Sequence, residues 1–309
     1  MKILIVGAGG VGGYFGGKLA QTGLDVSFLV RGKHFEAIKQ NGLQVKSIEG
    51  DFKVYPKVIN DIRNLKESPD LVILGVKSWQ VVAVAKQIKP IVGKNTTVIP
   101  LQNGADNYDK LVSILPKNNV MAGLCRIVSK VEKPGLINHF AYKPEVIFGE
   151  VNNNKSPRVL EIKKVFDKAG FKNVISEDIL LDIWRKFLFI STYSGIGALT
   201  RQPLGAIIKL PFIAQFMIDT AEEIKKIANK KNIDIRQDDI DKTMHILKNL
   251  PYETTASMQR DFMEGKPSEL ENFNGYIVKE GKRLGIKTPA NDFIYYTLLP
   301  SEKFVRKLA

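Results

Sequence analysis

The sequence predicts a two-domain protein: an α/β domain followed by an all-helical one. Three observations carry this. The first half of the 309 residues alternates short β-branched runs with helical stretches. A glycine-rich turn joins the first run to the first helix. After about Ser176 strand signals nearly vanish and long segments of 3.6-residue periodicity take over. The change of pattern falls within residues 170–178, which divides the chain into 1–174 and 175–309.

Ile3–Val6 is the first strand, and Val11–Thr22 the first helix, closed by Gly23. Val26–Val30, Leu71–Val76 and Thr97–Leu101 are further apolar runs, with helical patterns around Trp79–Ile91 and Tyr108–Leu115. Such alternation implies a parallel sheet covered on both faces. Leu43–Ile59 and Asn138–Phe148 read as hairpins, so antiparallel additions to that sheet are expected. A loop at Asn152–Pro157 leads into a helix at Arg158–Ala169. The helical half begins with Asp178–Tyr193 and continues with Phe212–Lys231, Asp238–Leu250 and Glu269–Leu284. Ser268 and Glu271 are spaced to cap the last of these as a capping box.

Composition narrows the function classes. Hydrophobic residues make up 44% and charged residues 25%, which suits a globular rather than a disordered chain. The single cysteine, Cys125, cannot form an internal disulfide, so a secreted disulfide scaffold is excluded. The apolar run at Met1–Val6 is too short for a signal-peptide core, and no segment approaches the ~20 apolar residues of a membrane span. A cytoplasmic location is expected. The net charge is +14, yet the basic residues are spread along the chain without interleaved stacking aromatics. No nucleic-acid or membrane partner is expected. His34, His139 and His245 are isolated and show no metal-ligand spacing.

Gly7-Ala8-Gly9-Gly10-Val11-Gly12 matches G-x-G-x-x-G, following a buried strand and opening a helix. That context marks a dinucleotide-binding turn. The first glycine permits the turn, the second lets backbone approach a pyrophosphate, and the third lets helix pack on strand. The second strand ends in Arg31 with no acid to bond a ribose 2′-hydroxyl, and a cation suits a 2′-phosphate. NADP(H) is therefore the expected cofactor. Lys77 and Asn103 follow later strands, at the sheet edge where ligands of open α/β folds bind.

These residues, with Trp184-Arg185-Lys186-Phe187, Ser257-Met258-Gln259-Arg260-Asp261 and Glu269-Leu270-Glu271-Asn272-Phe273-Asn274-Gly275, resemble in order the ketopantoate reductase (2-dehydropantoate 2-reductase) family. The resemblance implies a Rossmann-type NADP-binding domain joined to a helical domain, with the active site in the cleft separating them. It implies reduction of ketopantoate to pantoate, in pantothenate and coenzyme A synthesis. Lys186 would be the catalytic lysine, and Glu269 would contact substrate or the nicotinamide ribose. Asn103 would touch cofactor and substrate, Lys77 would help polarise the site, and Ser257 would bind the substrate carboxylate. By position alone Lys186 reads as a solvated helix lysine and Glu269 as a first-turn acid; the resemblance is what makes them functional.

The residue types suit the chemistry. Hydride addition to a ketone builds negative charge on oxygen, and an ammonium both stabilises it and delivers a proton. The pattern departs from the family where asparagines are expected: Ile190, Ser194 and Leu204 stand in those places. Ser194 remains a substrate-binding candidate on the stripe of Lys186, but the pocket should be more apolar. A reductase of another 2-keto acid and a non-catalytic NADP(H)-binding regulator are the alternatives. Helical second domains often mediate homodimers, so a homodimer is also expected.

Overall fold

A computed structural model describes residues 1–308, which divide into two compact units, Met1–Ile179 and the chain from Leu180 onward.

In the first unit the elements run β1 (Lys2–Val6), α1 (Gly10–Gln21), β2 (Asp25–Leu29), α2 (Gly32–Asn41), β3 (Leu43–Ser47), β4 (Phe52–Val54), β5 (Lys57–Ile59) and β6 (Leu71–Leu74). They continue with α3 (Val81–Ile88), β7 (Thr97–Pro100), α4 (Asn107–Val112), β8 (Ala122–Lys133), β9 (Leu136–Gly149), α5 (Pro157–Lys168) and β10 (Lys172–Ile175). One sheet has the order β5-β2-β1-β6-β7 and is parallel throughout. Its strands alternate between two cores. Ile3, Ile5, Phe28 and Ile73 enter one; Leu4, Val6, Leu29 and Val72 enter the other. Burial on both faces is what near-continuous apolar runs require.

The antiparallel material forms a separate sheet, β10-β9-β3-β4 with β8 on β9, rather than additions to the first. The reason is length. β8 and β9 are 12 and 14 residues long, so the hairpin recruits β3 and β10 in parallel and builds its own core face. Ile137, Val146 and Phe148 pack in one cluster with Phe15 of α1 and Phe166 of α5, enclosing α1. The Leu43–Ile59 segment also differs from the hairpin expected. Leu43 pairs with Val54 as a hairpin should, but Lys57–Ile59 turns away and joins β2 in parallel. Three residues carry too little alternation to reveal that choice.

In the second unit the helices are α6 (Ile179–Thr200), α7 (Leu204–Ile207), α8 (Pro211–Lys230), α9 (Gln237–Asn249), α10 (Ser257–Met263), α11 (Asn274–Leu284) and α12 (Pro289–Val305). Helix α6 outruns its expected end at Tyr193 by two turns. The Glu269–Leu284 helix is broken instead: a 3₁₀ turn at Leu270–Asn272 precedes α11, with Phe273 at φ −106°, ψ −97° separating them. The capping box fails because Glu271 is drawn elsewhere, accepting from Lys279 Nζ and Tyr295 Oη at 2.6 Å each. Ser268 is turned toward α12. Its N–H and Oγ–H donate to the Glu302 carboxylate, at 2.6 Å from Oγ, and Arg306 Nε donates to the same carboxylate at 2.5 Å. Ser268 and Glu302 are both buried. Glu302→Ala removes the acceptor of two buried Ser268 donors and the charge partner of the part-buried Arg306 guanidinium, and should cost about 3–5 kcal/mol. Urea unfolding at unchanged m-value measures it; a loss below ~1 kcal/mol would refute the clamp.

Candidate functional site

The glycine turn leaves β1 at its carboxyl end. Gly7 adopts φ +90°, and a β-carbon on Gly12 would fall 2.0 Å from the Gly7 carbonyl oxygen, so α1 packs on the turn as closely as backbone allows. Helix α1 has Gly9 as its N-cap, no side-chain cap and no acid in its first turn. Its first N–H groups and the positive end of its dipole are thus left for an anion. Strands β1 and β6 lie side by side at the point where the strand order reverses. The turns after them touch: a β-carbon on Gly7 would meet Val76 Cγ1 at 2.8 Å. A ligand crevice is expected at such a reversal, and these residues fit a dinucleotide pyrophosphate.

Arg31 stands at the end of β2 as the N-cap residue of α2. It is exposed, and its Nη2 donates to Gln87 Oε1 at 2.8 Å. An acid does lie in its electrostatic reach, supplied by the loop after β5. That residue, Asp61, is held by Arg63 through Nε at 3.0 Å and Nη2 at 2.5 Å. The Arg63 hydrogen bonds bring the Asp61 carboxyl down to about 2. Neither Asp61 nor Arg63 stood out in the sequence, because the β5 edge strand was not recognised.

Lys77 is exposed, with Nζ 5.5 Å from the Trp79 ring centroid. Asn103 is half-buried, and its carbonyl accepts from Ser78 Oγ at 2.8 Å and Asn107 Nδ2 at 3.1 Å. These bonds tie the turns after β6 and β7 together. Ser78 and Asn107 are further residues that sequence reasoning missed; they act across 25 and four residues on a backbone atom, which no motif announces. Gln102 next to Asn103 is buried, with both amide atoms lacking a protein partner.

In the second unit, Trp184 and Phe187 form the buried side of α6, edge-to-face at 5.6 Å, with Phe187 also against Phe273 and Tyr276. Lys186 is half-buried, while Arg185 beside it is exposed and pairs with Asp239 at 2.7 Å. Ile190, one turn on, is half-buried too. Ser194 is fully buried and its Oγ–H donates to the Ile190 carbonyl at 2.6 Å, so only its lone pairs remain to offer. Tyr193 adjoins it; burial pushes its phenol up, opposed by the Arg260 charge. Ser257 is half-buried at the first position of α10, and Leu204 is buried. Glu269 is 4% exposed, and its carbonyl accepts from the Asn272 and Phe273 N–H groups at 3.0 Å. Among the described residues no helix is long and apolar enough to cross a membrane.

Two family models match the chain: "Ketopantoate reductase PanE/ApbA" over residues 3–153 and "Ketopantoate reductase PanE/ApbA C terminal" over residues 178–301. An uncharacterised oxidoreductase of Bacillus subtilis is 32% identical, covering 96% of this chain and 98% of its own length. A 2-dehydropantoate 2-reductase of Aquifex aeolicus is 30% identical, covering 98% of each. The crystal structure of a PanE/ApbA family ketopantoate reductase from Ralstonia eutropha superposes with TM-score 0.91 at 28% identity, covering 99% of this chain and 100% of that one. The fold is also that of a D-mandelate dehydrogenase solved with NADH and anilino(oxo)acetate, at TM-score 0.90 and 23% identity, covering 99% of each chain. With a Rossmann-like sheet, a helical second unit and matches running through both, the chain belongs to the ketopantoate reductase family of oxidoreductases, which act on a keto or hydroxyl group.

Proposed function

We propose that the protein reduces the 2-keto group of 2-dehydropantoate to pantoate with NADPH, in pantothenate and coenzyme A synthesis. The observation that carries this is Lys186: a half-buried ammonium on the side of α6 turned from its aromatic core, within the segment that the family's C-terminal model matches. With its pyrophosphate at the glycine turn, a bound dinucleotide would supply the hydride from its nicotinamide. Gly7–Gly12 hold the pyrophosphate by backbone N–H groups and the α1 dipole. Arg31 takes the 2′-phosphate, and Lys77 and Asn103 border the nicotinamide end. Lys186 stabilises the developing alkoxide and delivers its proton from Nζ. Glu269 orients that ammonium and the ribose; Ser257 receives the substrate carboxylate.

Ile190 supports a second reading, a more apolar 2-keto acid. It shares the stripe of Lys186 and offers no hydrogen bond to a substrate hydroxyl, and a site without such a partner discriminates weakly in favour of that hydroxyl. The test is NADPH consumption with 2-dehydropantoate, branched aliphatic 2-keto acids and an aromatic one. The highest kcat/KM with 2-dehydropantoate is expected. Preference for the aromatic acid would favour the second reading, and binding of NADPH without turnover of any acid would refute both.

A further inference from the structure

We infer that His34 is a positioning residue for dinucleotide binding: a neutral imidazole strut that fixes the peptide plane of the glycine turn. The inference rests on that turn holding a dinucleotide. His34 lies on α2, three residues beyond Arg31. Its Nε2 is 2.7 Å from the Ala8 carbonyl oxygen, and its Nδ1 is 2.9 Å from the Gly135 amide nitrogen. The Gly135 N–H can only donate, so Nδ1 must be bare and must accept. The ring's one remaining proton is then on Nε2 and is donated to Ala8. Both ring nitrogens are used, and the tautomer follows from the partners.

The far anchor is rigid. Gly135 turns the β8–β9 hairpin at φ +80°, and its carbonyl accepts from the Gln44 N–H at 2.9 Å. A β-carbon there would sit 3.1 Å from Ala37 Cβ, one turn along α2 from His34. The near end matters for function. A trans peptide is planar, with its C=O and N–H pointing oppositely, and no cis bond occurs among the described residues. Holding the Ala8 oxygen therefore aims the Gly9 N–H away from His34. Gly9 is the N-cap of α1 and the second glycine of the motif, the one whose backbone meets a pyrophosphate.

Protonation ends the arrangement, because Nδ1–H would face the Gly135 N–H, donor against donor. Burial lowers the His34 pKa from its ordinary value, opposed by the Ala8 carbonyl. Charged groups come from the elements packed around the ring. The glycine turn brings no titratable group. From the hairpin come Lys133 and Glu132, the latter bonded to Asn138 and 3.7 Å from Lys46. β5 brings Lys57, paired with Asp25, and α2 itself carries Lys33, Glu36 and Lys39. A depressed folded pKa keeps the ring neutral, and the strut intact, below the ordinary histidine value near 6.5; the strut is lost only as pH falls through that depressed folded value.

Calorimetric titration with NADP⁺ tests this. At pH 7.5, His34→Ala should raise Kd about tenfold. His34→Gln keeps one donor and one acceptor without titrating, and should recover most of that loss. As pH is lowered from 7.5 through the His34 titration, followed by the imidazole NMR shifts, the wild-type Kd should rise about fivefold more than that of His34→Gln, a ratio that cancels the ligand's own titration. Wild-type amide exchange at Gly135 should be protected at pH 7.5 and faster, relative to its intrinsic rate, once pH has fallen through the His34 titration. An unchanged Kd in His34→Ala, equal pH slopes, or an unprotected Gly135 at pH 7.5 would overturn the strut while leaving dinucleotide binding intact. A wild type that binds neither NADP⁺ nor NAD⁺ would remove the dinucleotide reading and the strut together.

Discussion

Lys186→Ala should lower kcat about 10³-fold while leaving the NADPH Kd within about twofold of wild type. On the proposed mechanism, alanine removes both the positive charge that meets the developing alkoxide and the proton that neutralises it. The proposed dinucleotide anchors are on other elements, the Gly7–Gly12 turn and Arg31, so ground-state cofactor affinity should hold. Helix α6 should survive: alanine is a good helix former, and the helix is anchored from its other side by Trp184 and Phe187, 2% and 1% exposed. Lys186→Arg separates the two roles. It keeps a charge but, as a far weaker acid than an ammonium, does not release a proton, so it should regain only part of the rate. Single-turnover reduction followed at the NADPH absorbance is the measurement. An alanine variant within tenfold of the wild-type kcat would remove Lys186 from the reaction.

Arg31→Ala should weaken NADPH binding about 10- to 100-fold and NADH binding by less than about threefold. The argument is local. No acid ends β2, and Asp61, the acid that the loop after β5 supplies, is already clasped by Arg63 and fully ionised at neutral pH. On the proposed reading a ribose 2′-hydroxyl would meet an acid already held by Arg63, whereas a 2′-phosphate would meet a guanidinium that donates to a neutral amide, Gln87. The exposed Arg31–Gln87 contact contributes little to stability, so folding should be unaffected. Equal losses for the two dinucleotides would show that Arg31 does not read the 2′-phosphate.

Much of this was legible without coordinates because it depends on short-range order. A buried parallel strand writes itself as a run such as Ile3–Val6, and an amphipathic helix as a 3.6-residue repeat, so the parallel sheet and most long helices follow from periodicity. The glycine turn is equally local: φ +90° at Gly7 and the close approach at Gly12 each demand glycine at a fixed spacing. Lys186 was half-legible. Its spacing from Trp184 and Phe187 places it off the core, but nothing in that spacing separates a reacting amine from a solvated one.

What the sequence by itself determined is the alternation of strand and helix, the glycine turn, the missing acid after β2 and the helical character of the second unit. Tertiary structure alone decided the second sheet, the joining of β5 to β2, the break before α11 and the partners of the polar side chains. The Ser268–Glu302 clamp spans 34 residues, the Ser47–His139 contact 92 and the Gly135–His34 bond 101. Each is a pairing of one donor with one acceptor, and such pairs have no period. The chain carries the two ends far apart, and only the packing of the apolar core brings them within 3 Å.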